Sequence, residues 1–225
     1  MGLAHSPSIV TDGLVLCLDA ANTKSYSGSG TTWTDISGEG HDGTLTNGPT
    51  FSSNYGGNIV CDGSNDFITG VHNSELNLRN DVTVECWFRR TGSRSTWARI
   101  FGKGNGTNRT YGLWYHVNQN KFLYQRYGPS TMNINITKTV VLNTWYHMVG
   151  TSSGSTHTLY VNGVKIGTSS ISTTFHSSTD PYKVGSHDNN YHHIGDVSNC
   201  RIYNRGLSEA EVKQNYNAHK GRFGL

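Results

Sequence analysis

Residues 158–167 read TLYVNGVKIG. Asn162-Gly163 lies between two apolar arms. An Asn-Gly pair in that setting is the strongest local signal for a two-residue hairpin, because a type I′ turn holds both central residues at positive φ. Working outward, residues 145–151 (WYHMVGT) and 82–89 (VTVECWFR) also read as strands. In the second of these, Val82, Val84, Cys86 and Phe88 face one way and Thr83, Glu85 and Trp87 the other, since strand side chains alternate. Residues 111–117 and 121–127 flank Asn118-Gln119-Asn120 as a hairpin-like pair. Shorter strands are expected within 58–67 and at 99–103 and 183–185. The first and last strands, 13–20 (GLVLCLDA) and 197–203 (VSNCRIY), are both apolar, and if they pair the chain ends meet. One helix is expected, over 208–219: Ser208 caps it, Glu211 completes a capping box, Leu207 and Val212 form a staple, and Gly221 is the stop.

The 225 residues carry a net charge of +3, with 15% charged and 34% hydrophobic residues, 12 Tyr, 7 Phe and 5 Trp. A chain this long buries a core without staples, and low charge with ample aromatics is the reverse of a disordered composition. Scarce Ala, Leu, Glu and Lys argue against a helical bundle. About ten short strands, one terminal helix and no linker make one all-β sandwich the economical reading. It spans residues 13–225, with residues 1–12 as an N-terminal arm. Lys and Arg form no block, so nucleic acid is not an expected partner. No run of 18 apolar residues exists, so no membrane span is expected. MGLAHSPSIV lacks the basic start and apolar stretch of a signal peptide. Cys17, Cys86 and Cys200 fall in apolar strands and read as small buried hydrophobes, whereas Cys61 precedes a turn and is expected to be the most exposed.

The order of segments resembles the laminin G-like branch of the concanavalin A-like lectin/glucanase fold. The pieces that carry the likeness are LVLCLDA, DISGEGHDGTLTNGPTF (35–51), CDGSNDFITG (61–70), VTVECWFR, WYHMVGT, LYVNGVKIG, YKVGS and GDVSNCRIYNRGLSEAEV (195–212). The resemblance implies a two-sheet antiparallel jelly-roll β-sandwich with one short C-terminal helix, in a family that often binds glycans or proteins. The opening SPSIVTDGLVLCLDAANTKSYSGSGTTWTDISG and the ending IYNRGLSEAEVKQNYNAHKGRFG look like stand-alone laminin G-like proteins of tailed bacteriophages. That narrower likeness implies a location on the virion surface, with capsid or tail proteins as partners, self-association left open, and host-surface glycan as a further partner.

Glucanases of this fold use paired carboxylates on one strand. The corresponding strand carries Glu85 alone, with Asp81 at its entrance, so no enzyme is expected. Glu85 reads instead as a polar residue of the less buried face, or as the partner of an Arg. The resemblance also implies a calcium ion as candidate cofactor, with Asp35, Gly40 and Asp42 on one side. Ser198 stands where the family has an Asp on the last strand, with Asp196 as the substitute two residues earlier. The alternative for Asp35 and Asp42 is hydrogen bonding to loop amides. The cluster from His187 to His193 also admits a transition-metal reading.

Sugar recognition needs aromatic platforms and planar polar side chains. Two segments offer the mixture, and from them Tyr115, Arg126, Tyr127, Asp188, Asn189, Asn190, Tyr191 and His192 are the candidate ligand residues. Alternation puts Tyr111, Leu113 and Tyr115 on one face and Trp114 and His116 on the other, so one set must be core. Trp33, Trp87, Trp97 and Trp145 are expected to be core or loop anchors. The resulting expectation is a non-catalytic virion structural protein, a capsid decoration or fibre component, that adheres to glycans. A soluble or exported carbohydrate-binding module is the alternative, and a glucanase-like hydrolase the third reading.

Overall fold

The computed structural model describes residues 8–93, 96–188 and 190–225. In chain order the strands begin with β1 (Leu14–Asp19), β2 (Thr32–Trp33), β3 (Gly43–Thr46), β4 (Thr50–Ser52) and β5 (Asn58–Asp62). There follow β6 (Phe67–Gly70), β7 (Val82–Arg90), β8 (Trp97–Lys103), β9 (Tyr111–His116), β10 (Lys121–Arg126) and β11 (Met132–Thr137). The last are β12 (Trp145–Ser153), β13 (Thr156–Val161), β14 (Val164–Ser170), β15 (Tyr182–Val184) and β16 (Ile194–Tyr203), before helix α1 (Glu209–His219). They form two antiparallel sheets, as expected. The first runs β14-β13-β12-β7-β16-β5-β4, with β1 also beside β16, and the second β11-β10-β9-β8-β15-β6-β3-β2.

The Asn-Gly turn is as read: Asn162 and Gly163 have φ of 53° and 72°, and Val161 pairs with Val164. The chain ends do meet, because β1 pairs with β16. On one edge β16 follows β7, and on the other β5 takes 194–197 and β1 takes 199–203, with an irregularity between Val197 and Asn199. Ser198 sits at that change of neighbour.

Alternation along β7 also holds. Val82, Val84, Cys86 and Phe88 enter the core between the sheets, opposite Tyr111, Leu113, Tyr115, Phe122 and Tyr124. The other face of β7 is buried too, contrary to expectation. Trp87 stacks on Phe223 at 4.3 Å and on Tyr216 at 5.6 Å. Val149, Tyr160 and Tyr203 pack with Leu207 and Val212. An amphipathic helix buries its apolar side on the nearest uncovered sheet face, and α1 does so here.

The capping box forms: the Ser208 hydroxyl accepts from Glu211 N at 3.3 Å and Ser208 N donates to Glu211 Oε2 at 2.8 Å. Gly221 is not the stop. The helix runs into a 3₁₀ turn, Lys220–Phe223, and the left-handed residue is Gly224 at φ 71°. All four cysteines are buried thiols. Cys61 is therefore a correction: it lies in the core with β5. Residues 1–7 of the expected arm fall outside the described residues, and Val10 is tied to the helix, its N–H donating to Asn215 Oδ1 at 2.8 Å.

Candidate functional site

With α1 over the first sheet, the outer face of the second sheet is left for function. On β8, β9 and β10 that face carries Arg99, Trp114 and Leu123, aligned by the register Arg99 to Trp114 and Trp114 to Leu123. Gly102 pairs with Gly112 next to them. A Cβ on Gly112 would stand 2.7 Å from Trp114 Nε1, so glycine makes room for the indole. Arg99 is fully buried, donating to Gly104 O and Gly102 O, each at 2.7 Å, with its guanidinium 5.7 Å from the Trp114 ring centre.

The chain between β15 and β16 folds back over this face. Gly185 N donates to Ile100 O at 2.7 Å and Arg99 N to Tyr191 O at 2.9 Å. His187 and Asn190 exchange backbone hydrogen bonds of 3.0 and 2.8 Å. Asp188 and Tyr191 both sit at φ 52°. For a bulky residue that conformation is an outlier costing roughly 1–3 kcal/mol, and such strain gathers at ligand sites. It brings His187 to 5.0 Å from Trp114 and sets the Tyr191 ring edge-on at 5.9 Å. Tyr191 stays 37% exposed at the rim.

These elements bound a cavity of about 150 Å³ lined by Trp97, Arg109, Trp114, Leu123, Gln125 and Tyr191. Three of those side chains hold a buried polar atom with no hydrogen-bond partner among the described residues: Trp114 Nε1, Arg109 Nε and Gln125 Oε1. Buried polar atoms are normally paired, and these three face one cavity, although other buried polar atoms such as Trp87 Nε1, Trp145 Nε1 and His147 Nδ1 also have no hydrogen-bond partner among the described residues. The Gln125 amide nitrogen is held by Asn133 Oδ1 at 2.7 Å. Burial first, then Arg99, Arg109 and Lys183, push His187 down to about 3, although Asp188 lies 3.4 Å from its Nε2. The ring is neutral near pH 7.

Of the candidate ligand residues, Tyr191 lines the cavity, and Tyr127 is half-buried under Arg109 at 4.0 Å. Asp188 accepts from Gly106 N at 2.7 Å, and Asn190 is exposed. Asn189 lies outside the described residues. His192 is buried. Two assignments are corrected. Tyr115 belongs to the core set, stacked on Phe88 at 5.7 Å with its hydroxyl 3.1 Å from His193 Nδ1. Arg126 is wholly buried, donating to Leu78 O, Asn80 O and Thr110 O with its guanidinium over Phe175. Trp114 belongs to the outer set that alternation had left open. Trp97, expected as an anchor, lines the cavity instead. Arg109 and Gln125 were missed. Gln125 was reachable from pairing parity with Leu123, but Arg109 lies in an irregular loop and carries no sequence signal.

Most of the candidate calcium residues are engaged within the protein. Asp35 Oδ1 accepts from Cys17 N and Ser37 N at 2.8 and 2.9 Å, and Oδ2 from Ser37 Oγ and His41 N at 2.7 and 3.0 Å. Asp42 accepts from Asp35 N at 2.8 Å, while Gly40 is exposed. Asp196 is paired with Arg89 at 2.7 Å. Ser198 donates to Gly57 O at 2.9 Å and accepts from Arg222 at 2.7 Å. Asp35, Asp196 and Ser198 already have their partners, and the last two face guanidinium groups. Among the described residues no three His, Cys, Asp or Glu gather to hold a metal, the His187–His193 segment included.

A two-sheet antiparallel sandwich with a ring-sized aromatic cavity on one outer face is a lectin-like architecture. The Concanavalin A-like lectin/glucanases superfamily pattern matches residues 62–213, and the chain belongs to that superfamily. No curated protein matches the chain in sequence. Among solved structures it is similar to the binding domain of Paraclostridial Mosquitocidal Protein 1, with TM-score 0.73 and 20% identity over 92% of this chain and 52% of that one. It is also similar to the binding domain of Botulinum Neurotoxin DC, with TM-score 0.72 and 12% identity over 93% and 52%. For a Trypanosoma rangeli sialidase the TM-score is 0.70, at 17% identity over 95% and 35%. The chain spans about a third to a half of these proteins, and at such identities the likeness is one of fold.

Proposed function

We propose that the chain is a non-catalytic carbohydrate-binding domain that holds one sugar ring in the cavity of the second sheet. The observation that carries this reading is the meeting, at one cavity, of aromatic walls with polar atoms that have no hydrogen-bond partner among the described residues. Apolar ring faces pack on indole and phenol rings, and hydroxyls exchange hydrogen bonds with planar side chains. The volume falls below the about 300–1,000 Å³ of drug-sized sites, which suits a single residue of a glycan rather than a long chain. The botulinum neurotoxin domain was solved in complex with SialylT and a T. rangeli sialidase with sialic acid. They lend support through the shared fold alone.

The placement of the acids supports binding without reaction. Glycosidases set two carboxyls about 5–9.5 Å apart across the bond they cleave. Glu85 is sealed in the first sheet, bonded to Arg201 and Asn215, and Asp188 by the cavity is engaged by Gly106 N. The likeness of both chain ends to stand-alone domains of tailed bacteriophages supports a virion surface as the setting, with capsid or tail proteins as neighbours. A glycan array probed with the intact chain tests the binding. We expect selective retention of some glycans, and a loss of about tenfold or more for Tyr191→Ala at unchanged melting temperature. An empty array, or full binding by Tyr191→Ala and Trp97→Ala alike, overturns the reading. Mass spectrometry of purified virions tests the setting.

A further inference from the structure

We propose that the sugar held in this cavity carries a carboxylate, and that Arg109 is the group that receives it. The proposal rests on the cavity being a glycan site. The guanidinium carbon of Arg109 lies over two rings, 4.0 Å from the Tyr127 centre and 5.6 Å from that of Trp114. Contact with two rings restricts where the guanidinium can point. Among the described residues that guanidinium makes no hydrogen bond or ion pair, although it lines the cavity. Arg99, 5.7 Å from the Trp114 ring centre, donates to two backbone carbonyls. Lys183 adds a third cation, over the Phe67 ring at 4.8 Å.

The acids nearby are committed. Asp188 accepts from Gly106 N and lies beside His187, and Asp180 accepts from Ser178 Oγ at 3.0 Å and Asn105 N at 3.1 Å. Three cations thus face two engaged acids. The depressed basicity of His187, caused after burial by those same three cations, reports the same positive field. A neutral sugar leaves Arg109 unpaired in a half-buried wall. A carboxylate matches its fork with two parallel, charge-assisted hydrogen bonds. Lysine has no such planar fork, so the arrangement favours a planar anion over a diffuse negative charge.

The test compares sugars that differ only in the acid. Methyl glucuronoside against methyl glucoside, and methyl galacturonoside against methyl galactoside, are titrated into the intact chain. Tryptophan fluorescence and calorimetry are the readouts. We expect at least one acid to bind about tenfold or more tighter than its neutral partner, with the preference shrinking as salt is raised. Arg109→Gln should bring the acid-to-neutral ratio to about one, and Arg109→Lys should restore part of it. Equal binding of acid and neutral sugars overturns the proposal and leaves the glycan reading in place, while no binding of any sugar overturns both. If a 6-sulfated sugar binds as well as the uronate, the carboxylate assignment fails in favour of anions in general. Should Arg109→Gln fail to fold, the paired titrations and their salt dependence on the unmodified chain still decide.

Discussion

Glu85 meets three partners under the C-terminal helix. Arg201 Nη1 and the Asn215 amide, at 2.8 Å, donate to it, and His147 Nε2 lies 3.6 Å away. Burial alone would raise its carboxyl, but the neighbouring His147, the charge of Arg201 and the hydrogen bond from Asn215 hold it below the usual range. Breaking one side of a buried pair leaves the other charge uncompensated, at a cost of about 3–5 kcal/mol. Glu85→Gln is therefore expected to lower stability by that order in urea melts while leaving any glycan binding by the folded fraction intact. A variant as stable as the parent would refute this. Asp35 differs in kind, since its four donors are neutral groups, three from its own loop and one from β1. A ligand bound only to the native state must stabilise it. We expect the melting temperature with excess chelator to equal that with millimolar calcium, and a chelator-induced drop would restore the ion.

At the scale of elements, the hairpin β13–β14 and helix α1 depend on each other. Gly163 is left-handed, and a Cβ there would lie 3.0 Å from the Tyr216 ring of the helix. Gly163→Ala combines backbone strain of about 1–2 kcal/mol with a displaced Tyr216, whereas Gly154→Ala, also at positive φ, meets nothing within 4 Å. Chemical denaturation should show the Gly163 variant to be the less stable of the two. Equal losses would remove the contact from the account. The hairpin was legible because Asn-Gly acts through its own dihedrals, and the helix because its capping box is local. The role of α1 was not legible. Thr83, Glu85 and Trp87 alternate as a solvent face would, and only tertiary packing reveals that a helix more than a hundred residues later covers them. The cavity was half legible for the same reason: parity separated Trp114 from Tyr115, but nothing local says which set meets the other sheet.

Across the whole molecule, several histidines are buried as neutral rings, and this sets how stability responds to acid. Burial lowers His193 to about 4 and His187 to about 3, and also pulls down His157 and His219. Unfolding returns each ring to about 6.5. Below that pH the unfolded chain binds more protons than the folded one, so stability rises with pH and falls on acidification. For each such ring the loss approaches 1.4 kcal/mol per pH unit, roughly, until the folded value is passed. The depressed carboxylates of Glu85 and Glu211 have the same sign in a lower window: their stabilisation is complete above the usual carboxylate range and is lost as pH falls below it. The melting temperature should therefore begin to fall near pH 6.5, above any carboxylate titration. His193 is the place to test it, since its ring contacts the Tyr115 hydroxyl at 3.1 Å and the Asp196 carbonyl at 3.4 Å inside the core. His193→Gln keeps a polar group there without a titrating one, so its melting curve should be flatter between pH 6.5 and 4 even if it starts lower. A parallel pH profile for parent and variant would mean that His193 does not carry its share of the acid response.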